Sequence, residues 1–538
     1  MPGFLECAGF PLHIDFTTRL PQDARPLMAS PFSITTAIDY TNAPPHIGHA
    51  YEKILADVLA RFHRLEGEEV WFLTGVDQHG QKVQQAASKQ GVAPQEFVDG
   101  LTVKFQDLWK RLDLSYGAWA ATTDPQHVRV VQEILQALHD RGDIYKAAYQ
   151  GFYSVRQEQF LTDKERGPDG EFGEEWGEVV ELEEENWYFR LSNYRAWLLD
   201  FIQRTPGLVT PSFRQNELRN AAERLGGDLS ISRPKSRLSW GIELPFDPEC
   251  VTYVWFDALV NYISFAGFRW PQGGSPELPA HWPQLHVIGK DILVPAHGIY
   301  WLCMLKAMGF TDEQMPRFLV HGYVMVDGEK MSKSIGNIRD PHTFAERFGV
   351  ASLRYYLMRD CAVGQDMDFT DERLVQRFNT DLANNVGNLL NRTLNMAAKY
   401  RQGVLKKSAA CAFETHAAAV EAYRAAMKEC RVHQALEIAT DVATSANLLI
   451  ENEKPWALAK DPAQADRLDA VLYQLAETLR ITAILLAPVL PEPAAAILQQ
   501  LAWNGPLALS ETTWGQLPDG HTLGAPSPLF PRMQTDPA

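Results

Sequence analysis

The sequence contains few cysteines, and their spacing fits neither a disulfide framework nor a zinc site. The six are far apart in the chain: Cys7, Cys250, Cys303, Cys361, Cys411 and Cys430. The chain also lacks a run of about 20 continuous apolar residues, because the longest candidate, residues 481–490, is interrupted by Pro488. We therefore expect a globular protein of the reducing cytoplasm, without a disulfide scaffold or a membrane span.

Residues 1–31 lack the positively charged start and apolar segment of a signal peptide. They also lack helical or strand periodicity, which begins only at Phe32. Because Met28 stands shortly before that point, we expect translation to start there and residues 1–27 to be a mis-assigned extension. Mass spectrometry of the native N-terminus tests this expectation.

Acidic residues outnumber basic ones, with 67 Asp and Glu against 50 Lys and Arg and a net charge of −17. This balance argues against a general nucleic-acid binder but leaves room for a local basic surface. A candidate stripe follows residue 346, and its alternative interpretation is an ordinary solvated face. Its members are Arg347, Arg354, Arg359, Arg373, Arg377 and Arg392.

Two histidines flank an Ile-Gly pair just after a strand-like segment, residues 32–38. His46 and His49 are three residues apart, so they share one face of a helical turn, and Gly48 leaves room for a ligand beside the backbone. Helical spacing of apolar residues continues over 54–65. Helix starts of this kind bind phosphate. Alone, a His-x-x-His pair is more often solvated or buried without function.

A second apolar strand, residues 70–75, completes a βαβ unit, in which ligands bind at the carboxyl ends of the strands. Asp77 and His79 lie at such an end. The motif Lys330-Met331-Ser332-Lys333-Ser334 follows a strand-like segment, 318–326, and an Asp-Gly turn that places both lysines on a mobile loop. Alone, it could be a charged loop, but the two motifs together predict a nucleotide site.

The periodicity divides the chain into an α/β part and a helical part. We predict a nucleotide-binding fold in two halves, 32–143 and 243–345, separated by an insert, 144–242. The acidic stretch 163–185 should form loops or exposed hairpins, and a helix near His297 should follow a strand at 285–288. A segment at 346–380 leads to helices at 381–400, 417–430, 432–450 and 468–486, and the chain from Pro491 should wrap back loosely.

Five further segments narrow the interpretation, at residues 37–42, 72–80, 228–233, 253–258 and 451–456. With the two motifs, they make the chain from about residue 32 onward resemble methionyl-tRNA synthetase, a class I aminoacyl-tRNA synthetase. The resemblance implies a Rossmann-type catalytic domain split by a connective insert. It also implies a stem-contact segment at 346–380 and an all-α anticodon-binding bundle with a C-terminal tail at 381–538.

The resemblance implies an ATP-dependent, AMP-forming ligase. It would activate L-methionine to methionyl-adenylate, releasing pyrophosphate, and transfer methionine to the 3′ end of initiator and elongator tRNA(Met). The implied catalytic residues are His46, His49, Lys330 and Lys333. ATP, accompanied by Mg²⁺, would bind His46, Gly48, His49, Gly289, Asp291, Lys330, Ser332 and Lys333.

The resemblance also implies an apolar, aromatic pocket for the methionine side chain, with Asp77 holding the ammonium group. The matching positions are Ala37, Ile38, Tyr40, Asp77, Trp255, Ala258, Leu259, Tyr262, Ile292, His297 and Trp301. A thioether makes favourable contacts with aromatic edges. Without the resemblance, ordinary core packing would be the better interpretation of the three aromatic residues after position 250.

The implied partner is tRNA(Met), whose CAU anticodon would be read by Asn388, Arg392 and Trp456, because single-stranded bases stack on aromatic side chains. We expect no membrane association and a cytoplasmic location. We expect a monomer, because the sequence ends without the appended tRNA-binding domain by which some relatives dimerise.

The chain departs from the family pattern at three places. Ser154 and Gln157 stand where many relatives begin a zinc knuckle, so we predict no structural zinc. Gln78 stands where the family usually has glutamate. The segment between Asp291 and Trp301 is one residue longer than the common form, so we align His297 by its spacing to Trp301.

Two alternatives from other classes stay open. One is another class I synthetase or a small adenylyltransferase, against which the helical bundle and the apolar pocket residues count. The other is a tRNA-binding protein that has lost catalysis, against which the intact histidine and lysine motifs count.

Overall fold

The structure, a computed structural model, describes residues 32–154, 159–161, 166–167, 169–331, 336–407 and 413–534. The predicted start at Met28 lies outside the described residues. So do Gln157, Ser332 and Lys333.

The first part of the chain alternates apolar strands with amphipathic helices. Its elements are β1 (Phe32–Thr36), β2 (Asp39–Tyr40), α1 (Ile47–Leu65), β3 (Val70–Asp77), α2 (Gln81–Gln90), α3 (Pro94–Arg111), β4 (Ala118–Ala121) and α4 (Pro125–Asp140). The side chain of Asp124 caps α4 by accepting a hydrogen bond from the Gln126 amide at 2.7 Å.

The insert consists mainly of antiparallel strands. Its elements are β5 (Ile144–Ser154), β6 (Gln159–Leu161), β7 (Val179–Phe189), α5 (Arg195–Arg204), β8 (Val209–Thr210), α6 (Ser212–Glu223), β9 (Leu229–Ser230), β10 (Ser232–Pro234), β11 (Glu243–Leu244) and β12 (Asp247–Thr252). β5 and β7 pair along their whole length, from Ile144 opposite Phe189 to Ser154 opposite Val179.

The βα alternation then resumes. Its elements are α7 (Val254–Leu259), α8 (Asn261–Ser264), β13 (Leu285–Gly289), α9 (Lys290–Ile292), a π-helical segment (Leu293–Trp301), α10 (Leu302–Ala307), β14 (Arg317–His321), β15 (Val324–Val326) and β16 (Glu329–Lys330).

The rest of the chain is mainly helical. Its elements are α11 (Pro341–Phe348), α12 (Val350–Arg359), β17 (Met367–Asp368), α13 (Asp371–Arg377), a second π-helical segment (Phe378–Gly387), α14 (Asn388–Arg401), α15 (Phe413–Lys428), α16 (Val432–Glu453), α17 (Pro455–Leu458), α18 (Ala465–Leu486) and α19 (Pro491–Gln500). The predicted α/β fold with a helical C-terminal bundle is confirmed.

A seven-stranded parallel sheet lies at the centre, in the order β2-β3-β1-β13-β14-β8, with β4 also paired to β3. The chain leaves β1 toward β3 on one side and later returns to the other side with β13. The order therefore reverses between β1 and β13, and open α/β sheets bind ligands outside the carboxyl ends of the strands at such a point.

One apolar core joins α1 to the helical bundle, and a single buried arginine crosses it. Arg354 is 1% exposed and donates to Asp57 Oδ2 on α1 at 2.7 Å. It also donates to the carbonyl oxygens of Leu112, Pro488 and Val489 at 3.0, 3.2 and 2.8 Å. The prediction that Arg354 belongs to a basic surface stripe is therefore wrong, because its guanidinium is a structural cross-link.

Two local predictions need correction. Residues 318–326 do not form one strand, because Gly322 separates β14 from β15; a Cβ on Gly322 would lie 2.1 Å from the Gln365 carbonyl oxygen. The chain after Leu490 does not only wrap back, since it includes a further helix, α19. Two other local predictions are confirmed: β7 begins within the acidic stretch and pairs with β5 as a hairpin, and a helix begins near His297, after the non-helical Val294.

Candidate active site

His46 and His49 stand at the start of α1 with their rings 3.8 Å apart. His46 is the N-cap residue, and its Nδ1 accepts from the Gly48 amide at 3.1 Å, while His49 Nδ1 accepts from the His46 amide at 3.0 Å. Because a backbone amide can only donate, each neutral ring carries its proton on Nε2. Each histidine can therefore donate from Nε2 to an anion at the helix start.

Both imidazoles are neutral at pH 7. Burial lowers the pKa of His46 to about 4, and the nearby Lys53 ammonium acts in the same direction. Burial also holds the pKa of His49 well below its ordinary value. The two rings therefore supply hydrogen bonds rather than positive charge, so a cationic contact to phosphate has to come from elsewhere.

A buried lysine ties α1 to the chain after β1. Lys53 is 1% exposed and donates to Asp39 Oδ1 at 2.6 Å, to Glu52 Oε1 at 2.9 Å and to the Ala37 carbonyl oxygen at 2.9 Å. Burial raises the pKa of Asp39 to about 7, although Lys53 opposes the shift. This cluster could not be predicted from the sequence, because charged residues on an amphipathic helix usually face solvent.

The lysine motif packs against the start of α1. A Cβ placed on Gly48 would lie 3.7 Å from Met331 Cε and only 2.9 Å from His46 Cε1. Any larger residue than glycine would therefore have to displace His46. The structure thus brings the two motifs together, as far as Met331.

A tight hairpin carries Lys330 to this position. Asp327 and Gly328 have φ of 55° and 73°, the left-handed conformation that a two-residue turn between β15 and β16 requires. Lys330 Nζ lies 3.8 Å from Asp291 Oδ2 and 3.9 Å from the centre of the Tyr323 ring. Gly289 ends β13 and Asp291 follows it, so residues from both sides of the topological switch meet here.

Four of the side chains predicted to contact methionine lie together. Tyr262 Oη is 2.8 Å from His297 Nε2, the Tyr262 and Trp301 ring centres are 5.8 Å apart, and Trp255 lies 6.3 Å from the His297 ring. His297 Nδ1 donates to the Ile292 carbonyl oxygen at 2.8 Å, so Nε2 accepts from the tyrosine hydroxyl. Burial lowers the pKa of His297 to about 4, so this ring is neutral.

His286 supports the cluster and was missed from the sequence. Trp301 Nε1 donates to His286 Nε2 at 3.2 Å, and His286 Nδ1 lies 2.6 Å from the Thr35 hydroxyl on β1. The Tyr262 and His286 rings stack at 4.0 Å. Because all these groups are interior, the cluster is rigidly tied to the central sheet.

The other residues predicted to line the methionine pocket differ in their burial and in the elements they pack against. Ala37 and Ile292 pack at the edge of the same core, Ala258 and Leu259 are buried on α7, and Ile38 is half-buried. Tyr40 packs in a separate small cluster with residues of α2 and α3. The Cβ position of Gly80 neighbours both Tyr40 Oη and Val254 Cγ2, so the Tyr40 hydroxyl lies near the start of the helix that carries Trp255.

The segment in which we predict an extra residue, between Asp291 and Trp301, is not one regular helix. Val294 has φ of −121° and ψ of 133°, which interrupts the helical backbone before the turn that carries His297. Beyond this kink, His297 Nε2 lies 2.8 Å from the Tyr262 hydroxyl.

A buried carboxylate joins α7 to the chain after β3. Asp257 is fully buried and accepts from His79 Nδ1 at 2.7 Å and from His127 Nε2 at 2.8 Å. Burial favours a higher pKa for Asp257, but the two imidazoles outweigh it and hold the pKa below its ordinary value. Asp77 ends β3 as predicted. The sequence pointed to His79 and, through a motif, to Asp257, but gave no signal for His127.

Comparison with known proteins agrees with these features. Residues 32–172 and 173–394 match the family described as tRNA synthetases class I (M), and residues 402–537 match the anticodon binding domain of methionyl tRNA ligase. The chain belongs to the methionyl-tRNA synthetase family.

Relatives share the sequence and the fold over nearly the whole chain. The methionine–tRNA ligase of Deinococcus radiodurans is 42% identical over 527 residues, which cover 94% of this chain and 74% of the relative. The Mycobacterium tuberculosis methionyl-tRNA synthetase in complex with methionyl-adenylate is 39% identical, with a TM-score of 0.87 and coverage of 94% and 100%. The free form of the latter enzyme has a TM-score of 0.80, at 36% identity and coverage of 94% and 99%.

The three residues predicted to read the anticodon lie on adjoining helices. Asn388 Nδ2 donates to Asn447 Oδ1 at 3.3 Å, and Arg392, one turn later on α14, pairs with Glu451 of α16 at 2.7 Å. Trp456 follows Pro455 at the start of α17 and is 39% exposed. It stands five residues after Glu451, the partner of Arg392, and its exposed indole offers a stacking surface.

At the position where many members of the family begin a zinc knuckle, the described residues show other contacts. Ser154 Oγ donates to the Trp176 carbonyl oxygen at 2.5 Å. The Arg166 guanidinium lies 4.6 Å from the Phe152 ring and 4.4 Å from the Phe172 ring. Within the described ranges, no group of three or more His, Cys, Asp or Glu side chains could hold a metal ion.

Among the helices that the structure describes, none combines the length and apolar character needed to cross a membrane.

Proposed function

We infer that the protein is a methionine–tRNA ligase. It uses ATP to convert L-methionine to methionyl-adenylate and pyrophosphate, and then transfers methionine to the 3′ end of tRNA(Met), initiator and elongator. The observation that carries this conclusion is the approach of Met331 Cε to Gly48, 3.7 Å from where a Cβ would stand, which brings the lysine motif to the histidine pair at the topological switch. The family matches over both parts of the chain support it.

Adenylate formation requires attack of the methionine carboxylate on the α-phosphorus, which gathers negative charge on the phosphate oxygens. The protein therefore contributes positioning and electrostatic stabilisation rather than a nucleophile. His46 and His49 would donate neutral hydrogen bonds from Nε2. Lys330 and Lys333 would supply the positive charge that the neutral histidines lack.

The remaining ATP contacts follow the ends of the strands. Gly48, Gly289, Asp291 and Ser332 would complete the nucleotide site, with Asp291 near the ribose. In the described conformation Lys330 neighbours Asp291, so a ribose bound there would compete for this carboxylate and release the lysine toward the phosphates. Mg²⁺ would arrive bound to the ATP phosphates, which is its usual mode in nucleotide enzymes.

The methionine side chain would occupy the region around Trp255, Tyr262, His297 and Trp301, flanked by Ala37, Ile38, Tyr40, Ala258, Leu259 and Ile292. Aromatic edges attract a thioether by about 0.3–1.5 kcal/mol each. Asp77 would pair with the ammonium group. The neutral His297 suits this role, since it adds no charge beside an apolar side chain.

The identity of the tRNA would be recognised at the surface near α14 and α16, by Asn388, Arg392 and Trp456. The exposed indole supports base stacking. We also propose that the functional units follow residues 32–143, 144–242, 243–345, 346–380 and 381–538, that the enzyme acts as a cytoplasmic monomer, and that it needs no structural zinc. Light scattering and metal analysis of purified protein test the last two points.

The test of the proposed function is ATP–pyrophosphate exchange measured with each of the twenty amino acids. Exchange with methionine alone supports the conclusion, and charging of tRNA(Met) transcripts completes it. Exchange with a different amino acid would keep the fold and overturn the pocket assignment. No exchange with any amino acid would favour a tRNA-binding protein without catalysis.

A further inference from the structure

Gln78 lies between Asp77 and His79 in the loop after β3 and is held there by hydrogen bonds from both its side chain and its backbone. It is 2% exposed, and four of its polar groups are hydrogen-bonded. Its amide nitrogen Nε2 donates to the Thr102 hydroxyl at 2.9 Å, and its Oε1 accepts from the Thr123 hydroxyl at 2.6 Å. Its backbone amide donates to the Thr122 hydroxyl at 2.9 Å, and its carbonyl oxygen accepts from Trp240 Nε1 at 2.6 Å.

The same network reaches the carboxylate of Asp77. The Thr122 hydroxyl accepts from the Gln78 backbone amide, so its one proton is available for Asp77 Oδ1, at 3.4 Å. The His79 backbone amide also donates a hydrogen bond to Asp77 Oδ1, at 3.3 Å. A shift of Gln78 would therefore move the groups that orient the Asp77 carboxylate.

Two threonine hydroxyls explain why glutamine can stand at a position where the family usually has glutamate. Thr102 donates to the Val98 carbonyl oxygen at 2.8 Å, so it now accepts from the Gln78 amide. A hydroxyl can turn to donate instead, and a carboxylate at residue 78 would then accept from both Thr102 and Thr123. The surrounding shell can satisfy either side chain without moving the backbone.

We propose that Gln78 is a positioning residue that holds Asp77 in register with the ammonium group of methionine. The proposal rests on the proposed function, since it assigns the ammonium contact to Asp77. The role depends on the hydrogen bonds of the side chain and does not depend on its charge. Glutamate at this position therefore serves equally well, whereas an apolar side chain of the same length does not.

The test compares Gln78→Met with Gln78→Glu, using Gln85→Met on the exposed face of α2 as the matched control. Methionine KM and kcat are measured by ATP–pyrophosphate exchange. The inhibition constant of 4-(methylthio)butanoate, which is methionine without its amino group, is measured against methionine. We expect Gln78→Met to raise the methionine KM about tenfold while the inhibition constant of the deaminated probe changes less than about twofold. Gln78→Glu should stay within about threefold of wild type for both.

Equal weakening of methionine and of the deaminated probe would overturn the proposal, because it would show general damage to the pocket. An unchanged KM in Gln78→Met, or a loss in Gln78→Glu as large as in Gln78→Met, would overturn it as well. If Gln78→Met does not fold, Thr123→Val removes the donor to Gln78 Oε1 from outside the loop, and the same selective loss is expected. Wild-type exchange with methionine tests the proposed function separately, so the two failures can be told apart.

Discussion

Replacement of Asp257 by asparagine removes a single buried charge and keeps the shape of the side chain. Asp257 accepts one hydrogen bond from His79 and one from His127, and its side chain is fully buried. Asparagine has the same shape but keeps only one accepting oxygen, so its amide group would face an imidazole N–H. One histidine would have to lose its partner or change its tautomer.

The expected loss of stability follows from the bonds removed. A hydrogen bond to a charged group contributes about 1.5–3 kcal/mol, and a buried donor left without a partner adds a desolvation cost. We expect Asp257→Asn to lower the free energy of unfolding of the catalytic region by about 3 kcal/mol, or its Tm by about 6–12 °C. Because α7 also carries Trp255 and Ala258, the methionine KM should rise.

A lower pH should reduce the difference in Tm between the wild-type protein and Asp257→Asn. The pKa of Asp257 is lower in the folded state than its ordinary value, so its stabilisation is present above about pH 4 and is lost as the pH falls below it. The Tm gap between wild type and variant should therefore narrow between about pH 5 and pH 3.

Thermal unfolding followed by circular dichroism, with exchange kinetics on the same samples, measures both effects. Asp107→Asn on the exposed side of α3 is the matched control and should change neither. An Asp257→Asn protein with wild-type Tm and methionine KM would refute the view that this carboxylate holds α7 in place.

Three further predictions address the reaction and the tRNA. Lys330→Ala, like Lys333→Ala, should lower kcat of methionine-dependent exchange by about a hundredfold to a thousandfold and leave the methionine KM nearly unchanged, because each lysine would act on the phosphates and not on methionine; equal losses in both constants would contradict this. Trp456→Ala should raise the tRNA KM by about tenfold or more while exchange stays intact, whereas Leu507→Ala, also at an exposed apolar residue, should change neither. Since burial lowers the pKa of His46 to about 4 and holds that of His49 well below its ordinary value, kcat for exchange should show no inflection near pH 6.5 attributable to either ring; such an inflection, absent from variants of His46, would show that the ring titrates in the working enzyme.

The sequence was most informative where chemistry depends on neighbours in the chain. The spacing of His46 and His49 placed both on one face of the first helical turn, and the Asp327-Gly328 turn indicated how the lysine motif is presented. Both follow from local geometry, so both could be predicted. The fold class followed as well, because each strand and helix carries its own apolar pattern.

Contacts between distant residues could not be predicted in the same way. His127 meets Asp257 across 130 positions of sequence, and nothing in the pattern of α4 marks this histidine as a partner. Arg354 looked like a surface residue because its acceptors, the carbonyl oxygens of Pro488 and Val489, are brought near it only by the packing of the bundle. Backbone carbonyls carry no sequence signature, so this error could not be avoided.

The position of Arg354 has a mechanical consequence. Its guanidinium donates hydrogen bonds to the turn at the end of α18 and to Asp57 on α1. The start of α1 is where His46 and His49 lie. Tilting the bundle against the sheet would have to break several buried hydrogen bonds at once. The helix that begins at the nucleotide end of the sheet and the end of α18 are therefore held in one relative orientation by a single side chain.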